Sequence, residues 1–187
     1  MDERAFGRLL APYARRLGNL LARGVLSVVN AAAKMQVLQV RLLAGEAKAG
    51  LEHFEPYGYT AHPHPGAEVL AAFFDGDRSH GLIIAVADRR YRLTGLAAGV
   101  VALYDDLGQK VHLTRNGIVI NGANLPITIT DTPKVRMETP LLEVTGDIHD
   151  RCDTTGRTMQ GMRDIYNIHV HPENDGGGPT DDPNEQM

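Results

Sequence analysis

Four of the eight histidines in this 187-residue chain come as two H-x-H pairs, His62-Pro63-His64 and His169-Val170-His171. Neutral imidazole is a common ligand for transition metals. In an extended chain, positions i and i+2 point to the same side, so each pair presents two rings in one direction. One pair is too few for a protein metal site, and further ligands must come from elsewhere. His169 and His171 stand in "YNIHVHPENDGGGPTDDPNEQM", where ordered sequence gives way to a polar, glycine-rich tail. Pro172 follows directly and ends the strand by withdrawing its amide donor. His62 and His64, in "TAHPHPGAE", are each followed by proline inside a strand-rich region, and they read as part of a rigid loop. His53, His80, His112 and His149 are scattered and are assigned no role.

Other chemistry has little to stand on. The sequence contains no G-x-S-x-G, H-E-x-x-H, P-loop, G-x-G-x-x-G or C-x-x-C motif. Asp105-Asp106 in "LYDDLGQK" reads as a turn between strands. The lone Cys152 excludes an internal disulfide, reads as an inert thiol and fits synthesis in a reducing compartment. A net charge of −4 gives no global field for nucleic acid. One basic cluster, "DRRYR" (Arg89, Arg90, Tyr91, Arg92), resembles the arginine–aromatic groups that bind single strands, but it reads as a solvated turn or subunit contact. No run reaches the roughly 18 uncharged apolar residues of a membrane helix. "GVLSVVNAAA" lacks the compact basic start of a signal peptide. A soluble protein without a cleaved export signal is expected.

The elements that must position the histidines fall into four segments. Residues 1–22 carry Phe6, Leu9, Leu10, Tyr13, Leu17, Leu20 and Leu21 at helical spacing. This predicts a short amphipathic helix, interrupted by Pro12 and Gly18, with an exposed stripe suited to a partner. Residues 23–97 hold the apolar runs "GVLSVVNA", "KMQVLQVRLL", "AEVLAAFF" and "HGLIIAVAD", with Asp-Gly in "FFDGDRSHG" suited to a hairpin turn. Roughly five strands there predict a small barrel of OB type. Val, Leu, Ile and Ala carry the 43% hydrophobic content while aromatics make up only 5%, which suits short strands better than a large aromatic core.

Residues 98–165 show short alternations: Val111 and Leu113, Ile118 and Ile120, Ile127 and Ile129, Val135 and Met137, Leu142 and Val144. Turns fall at "RNG", "NGANLP", "DTP", "ETP" and "TGD". "TPKVRME" is followed seven residues on by "TPLLEVT", a weak repeat. A helix-length segment first arises at "TTGRTMQGMRDIY". Short strands with one apolar face build a core only by stacking on neighbours, and three intertwined copies need a less regular repeat than one chain does. A trimeric β-helix is the inference. Residues 166–187 then form its apex. Around a threefold axis, His169 and His171 from three chains supply six nitrogens. Zinc strongly prefers four ligands, so six argue for iron, nickel or cobalt, with iron the commonest candidate. Six protein ligands leave no open position for substrate.

Four stretches, "YGYTAHPHPGAE", "DGDRSHGLIIAVADRRYR", "ALYDDLGQKVHLTRNGIVI" and "IHVHPENDGGGPTDDPNE", together resemble the baseplate spike of bacteriophage Mu and its prophage relatives, the baseplate assembly protein V family. The resemblance runs in order from about residue 20 to the C-terminus. It implies a mainly β homotrimer in the virion, made in the host cytoplasm. An N-terminal OB-fold barrel would be followed by an intertwined triple-stranded β-helix and a metal-bound apex that crosses the host outer membrane on tail contraction. It implies tail hub and baseplate partners at the N-terminal end, no nucleic acid and no enzymatic turnover. It also implies one iron ion per trimer at His169 and His171. Calcium and chloride along the axis are implied too, without residues to assign them to. Two rival readings compete: a zinc enzyme using His62, His64, His169 and His171, and an OB-type single-strand binder using "DRRYR".

Overall fold

A computed structural model describes residues 3–173 and 175–187. The chain divides into two compact units, one running to Thr128 and one from Ile129 to Met187.

The first unit opens with helix α1, Glu3–Asn19. It runs through Pro12 without interruption, contrary to the sequence expectation. Proline removes one intrahelical bond, and the turns on either side carry the helix on. Phe6, Leu9, Tyr13 and Leu17 are all more than half exposed. Leu20 and Leu21 leave the helix, and Leu21 begins β1.

Five strands close a barrel: β1 (Leu21–Asn30), β2 (Val37–Leu42), β3 (Ala47–His53), β4 (Glu68–Phe73) and β5 (Gly81–Ala87), in the order β1-β2-β3-β5-β4. Neighbours are antiparallel except β3 and β5, which pair in parallel at Glu52–Leu82 and His53–Ile83. A five-stranded closed barrel fits the OB-type expectation. β3, "AKAGLEH", is the strand that no apolar run announces. Two alanines and a glycine leave only Leu51 and His53 of it buried.

The core follows from period-2 alternation. Leu38, Val40 and Leu42 of β2 point inward with Val69, Ala71 and Phe73 of β4. Leu26 and Ile83 complete the centre. Phe73 is the only aromatic ring in this cluster, as the aliphatic composition foretold. Between Asp75 (φ 51°) and Gly76 (φ 70°) the chain makes the turn read from "DGD". At Gly24 the strands approach so closely that a Cβ would lie 2.6 Å from the Arg41 carbonyl oxygen. Backbone cannot yield there as a side-chain tip can. Gly24→Ala should therefore destabilise the barrel by about 1–3 kcal/mol, the usual range for overpacking, readable in a denaturant midpoint.

A three-stranded antiparallel sheet completes this unit: β6 (Val101–Tyr104), β7 (Lys110–Thr114) and β8 (Gly117–Asn121). Its register aligns Leu103, Val111 and Ile120 in one row, and Val101, Leu113 and Ile118 in the next. All six share one face, and all are exposed in the single chain.

In the second unit, residues 129–144 form no ladder with the other described residues. Ile129, Val135, Met137, Leu141, Leu142 and Val144 are at least half exposed. The seven-residue repeat nevertheless has a structural counterpart. The Thr132 hydroxyl donates to the Lys134 carbonyl at 3.0 Å, and the Thr139 hydroxyl donates to the Leu141 carbonyl at 2.9 Å. Each hydroxyl also accepts the amide of that same residue. After one isolated bridge, His149 to Thr158, comes helix α2, Met159–Ile168. Thr158 caps it by accepting from the Gly161 amide at 3.0 Å. The 165/166 segment boundary lies inside this helix.

Candidate metal centre at the chain's end

His169 is the C-terminal cap of α2, where the backbone turns from helical to extended (φ −75°, ψ 141°). Its amide donates to the Tyr166 carbonyl, and its ring Nδ1 lies 2.6 Å from that same oxygen. A carbonyl can only accept, so Nδ1 carries the proton and Nε2 keeps its lone pair for a ligand. Fixing one ring nitrogen to a carbonyl is how proteins orient metal-binding histidines. The Tyr166 ring packs against the His169 ring at 5.3 Å.

The His169 and His171 rings stand edge to face, 5.1 Å between centres. With metal–nitrogen bonds of about 2.0–2.1 Å, two imidazoles adjacent on one ion have centres roughly 4.5–5 Å apart. The separation of the two ring centres is close to that spacing. Among the described residues, no group of three or more His, Cys, Asp or Glu in one chain is placed to hold a metal. Among the described residues, one chain therefore brings together two histidines without a third possible ligand.

The tail beyond His171 returns to the pair. The His171 amide donates to the Thr180 hydroxyl at 2.8 Å, and the Thr180 amide donates to the His171 carbonyl at 2.9 Å. Farther on, the Met187 amide donates to the Asn167 side-chain oxygen at 2.9 Å. Reading the residues in order finds the histidines but not Tyr166, Asn167 or Thr180. Only the sharp return through Gly176 (φ 88°) leaves a trace, as the "DGGGP" of a turn.

Of the first-unit histidines in the rival reading, His64 is otherwise engaged. His64 Nε2 donates to Asp106 Oδ2 at 3.0 Å, and its ring packs on Tyr91. His62 is exposed. The loop carrying both is tied down by Gln36, whose amide donates to the Ala61 carbonyl at 2.7 Å, and by Glu55, which accepts from the Ala61 amide at 2.8 Å. Asp105 is a turn residue, accepting the Leu107 and Gln109 amides at 3.0 and 2.8 Å. Cys152 is exposed.

Two of the three arginines of "DRRYR", Arg89 and Arg90, are paired with acids at the barrel, and Arg92 donates to the Leu93 carbonyl at 3.2 Å. Arg89 and Arg23 clasp the two oxygens of Glu68, the latter at 2.7 Å. Arg90 donates to Asp88 at 2.8 Å and to the Pro65 carbonyl at 3.0 Å. Arg89, then Arg23, hold the Glu68 carboxyl below its usual range, and Arg90 does the same for Asp88. Hydrogen bonds from the Ser79 amide and hydroxyl lower Asp77. A carboxylate depressed in the folded state stabilises it above the ordinary carboxylate range and loses that contribution as acid protonates it. The barrel's melting temperature should therefore fall as the pH drops below about 5, as thermal denaturation over the acid range would show. A melting temperature that rises on acidification would contradict these pairings.

The chain is similar to known proteins over most of its length. Residues 23–90, which take in all but the first two residues of the barrel strands, match the family described as Bacteriophage Mu Gp45, N-terminal. The "Baseplate puncturing device gp45" of Escherichia phage Mu is 36% identical over 148 residues, covering 79% of this chain and 75% of that protein. The "Mu-like prophage FluMu protein gp45" of Haemophilus influenzae is 33% identical over 174 residues, covering 90% of this chain and 95% of that protein. Matches that reach so far beyond the barrel, at this identity, mean that the chain belongs to the Mu gp45 family of phage baseplate proteins.

Proposed function

We propose that this chain is the central spike of a contractile phage tail baseplate, acting as a homotrimer that pierces the host outer membrane when the sheath contracts. The observation that carries this reading is the likeness to phage Mu's puncturing device over 79% of the chain. The structure supports it in three ways. The six-residue apolar face of β6–β8 is uncovered in one chain, as is the apolar series from Ile127 to Val144, and both suit burial against identical chains. The repeated Thr-x-x turns give that series the regular step a prism needs. His169 and His171 lie at its far end in ligand-ready geometry.

In this reading residues 23–97 form the barrel that docks on the tail hub. Residues 98–165 form the intertwined β-helix, and residues 166–187 form the apex. Three copies of His169 and His171 hold one iron ion. A free β-edge is the weak end of any such prism, and an ion shared by three chains locks it. Calcium and chloride along the axis belong to the same picture, with no residues assigned to them. The work is mechanical, with no substrate turned over. No described helix is long and apolar enough to cross a membrane, which fits a spike driven through one by force.

Removing the chain from a tail-producing strain tests this role. Particles made without it should lack density at the baseplate centre in cryo-electron micrographs and should fail to infect. Complete, infective particles without the chain would overturn it.

A further inference from the structure

We infer that Thr180 is a positioning residue for the apex metal: the tail folds back so that Thr180 brackets the His171 backbone and fixes the direction of its Cα–Cβ bond. The inference rests on the metal reading above and adds a residue to it. His169 and His171 are held by different devices. His169 is fixed from the helix side, by its ring and amide on the Tyr166 carbonyl. His171 lies beyond the helix, where no ladder holds it. Its amide and carbonyl are instead both taken by Thr180, at 2.8 and 2.9 Å. Two bonds to one residue restrain both backbone torsions of His171, and Pro172 limits the next. The Cα–Cβ bond then leaves the backbone in one direction, and the ring packs edge to face on His169. A second clasp, Asn167 to the Met187 backbone at 2.9 and 3.4 Å, holds the far end of the tail against α2. The tail is therefore a strap on the metal pair.

Thr180→Val keeps the shape and the amide donor but removes the hydroxyl that accepts from His171. Thr180→Ser keeps that hydroxyl. The full-length protein would be loaded with ferrous iron, and release to a chelator followed by absorbance. Partners of metal ligands typically contribute about 10–100-fold in affinity, so Thr180→Val should release iron at least about tenfold faster. Thr180→Ser should match the parent. Hydrogen exchange at the His171 amide should rise in the valine variant alone, in metal-free protein too. If the parent holds iron and both variants release it at the parental rate, Thr180 does not position the site. Equal acceleration in both variants would likewise overturn the role given to the hydroxyl. A parent that takes up no iron overturns the metal reading and this inference with it.

Discussion

Alanine at either His169 or His171 is expected to strip the purified protein of its iron. Threefold symmetry multiplies each substitution, so one change removes three of six ligands. That loss exceeds the roughly 10–100-fold effect of altering an outer partner, and iron content should drop from one per trimer to background. The barrel belongs to a separate compact unit and should keep its circular dichroism and melting temperature. Acid should mimic the substitutions, because only neutral imidazole coordinates and protons compete for the same lone pair. Iron retained in full by His169→Ala, or by the parent near pH 4, would contradict histidine ligation.

The second large effect concerns the apolar rows of β6–β8. Leu103 and Ile120 flank Val111 in one cross-strand row and are 58% and 61% exposed in the single chain. In a monomer, aspartate at these two positions would cost little, since surface changes usually stay within about 0.5 kcal/mol. In a trimer the same change places six carboxylates against apolar neighbours. Each replaced side chain forfeits roughly 1.5–3 kcal/mol of burial, and each uncompensated charge adds several more. Leu103→Asp with Ile120→Asp should therefore abolish the trimer, leaving a folded barrel attached to a chain that aggregates or is readily proteolysed. Sedimentation of the double variant decides the matter, and an unchanged trimer would show that this face is not the interface.

How much of this was legible in the sequence depended on where each pattern finds its partner. The barrel strands rich in Val, Leu and Ile were visible because their partners lie in the same chain and their alternation matches the buried face, as in Leu38, Val40 and Leu42. β3 was not, because its place comes from pairing with β2 and β5 rather than from its own apolar content. The helix through Pro12 shows local propensity overruled by its neighbours. The alternation at Ile127, Val135 and Leu142 was equally plain, yet it forms no ladder with the other described residues. A period-2 pattern states that a face wants burial and not which chain supplies the cover. At the metal pair the two histidines were legible from spacing alone. Tyr166 and Thr180 were not, since their contribution is a carbonyl and a backbone bracket whose positions exist only after α2 and the tail have folded.

Whether three chains share one metal at the apex is read by native mass spectrometry joined to iron analysis on one purified sample. A particle of three 20.3 kDa chains carrying one iron ion is expected. A monomer, or a trimer with one metal for every chain, would contradict a shared site.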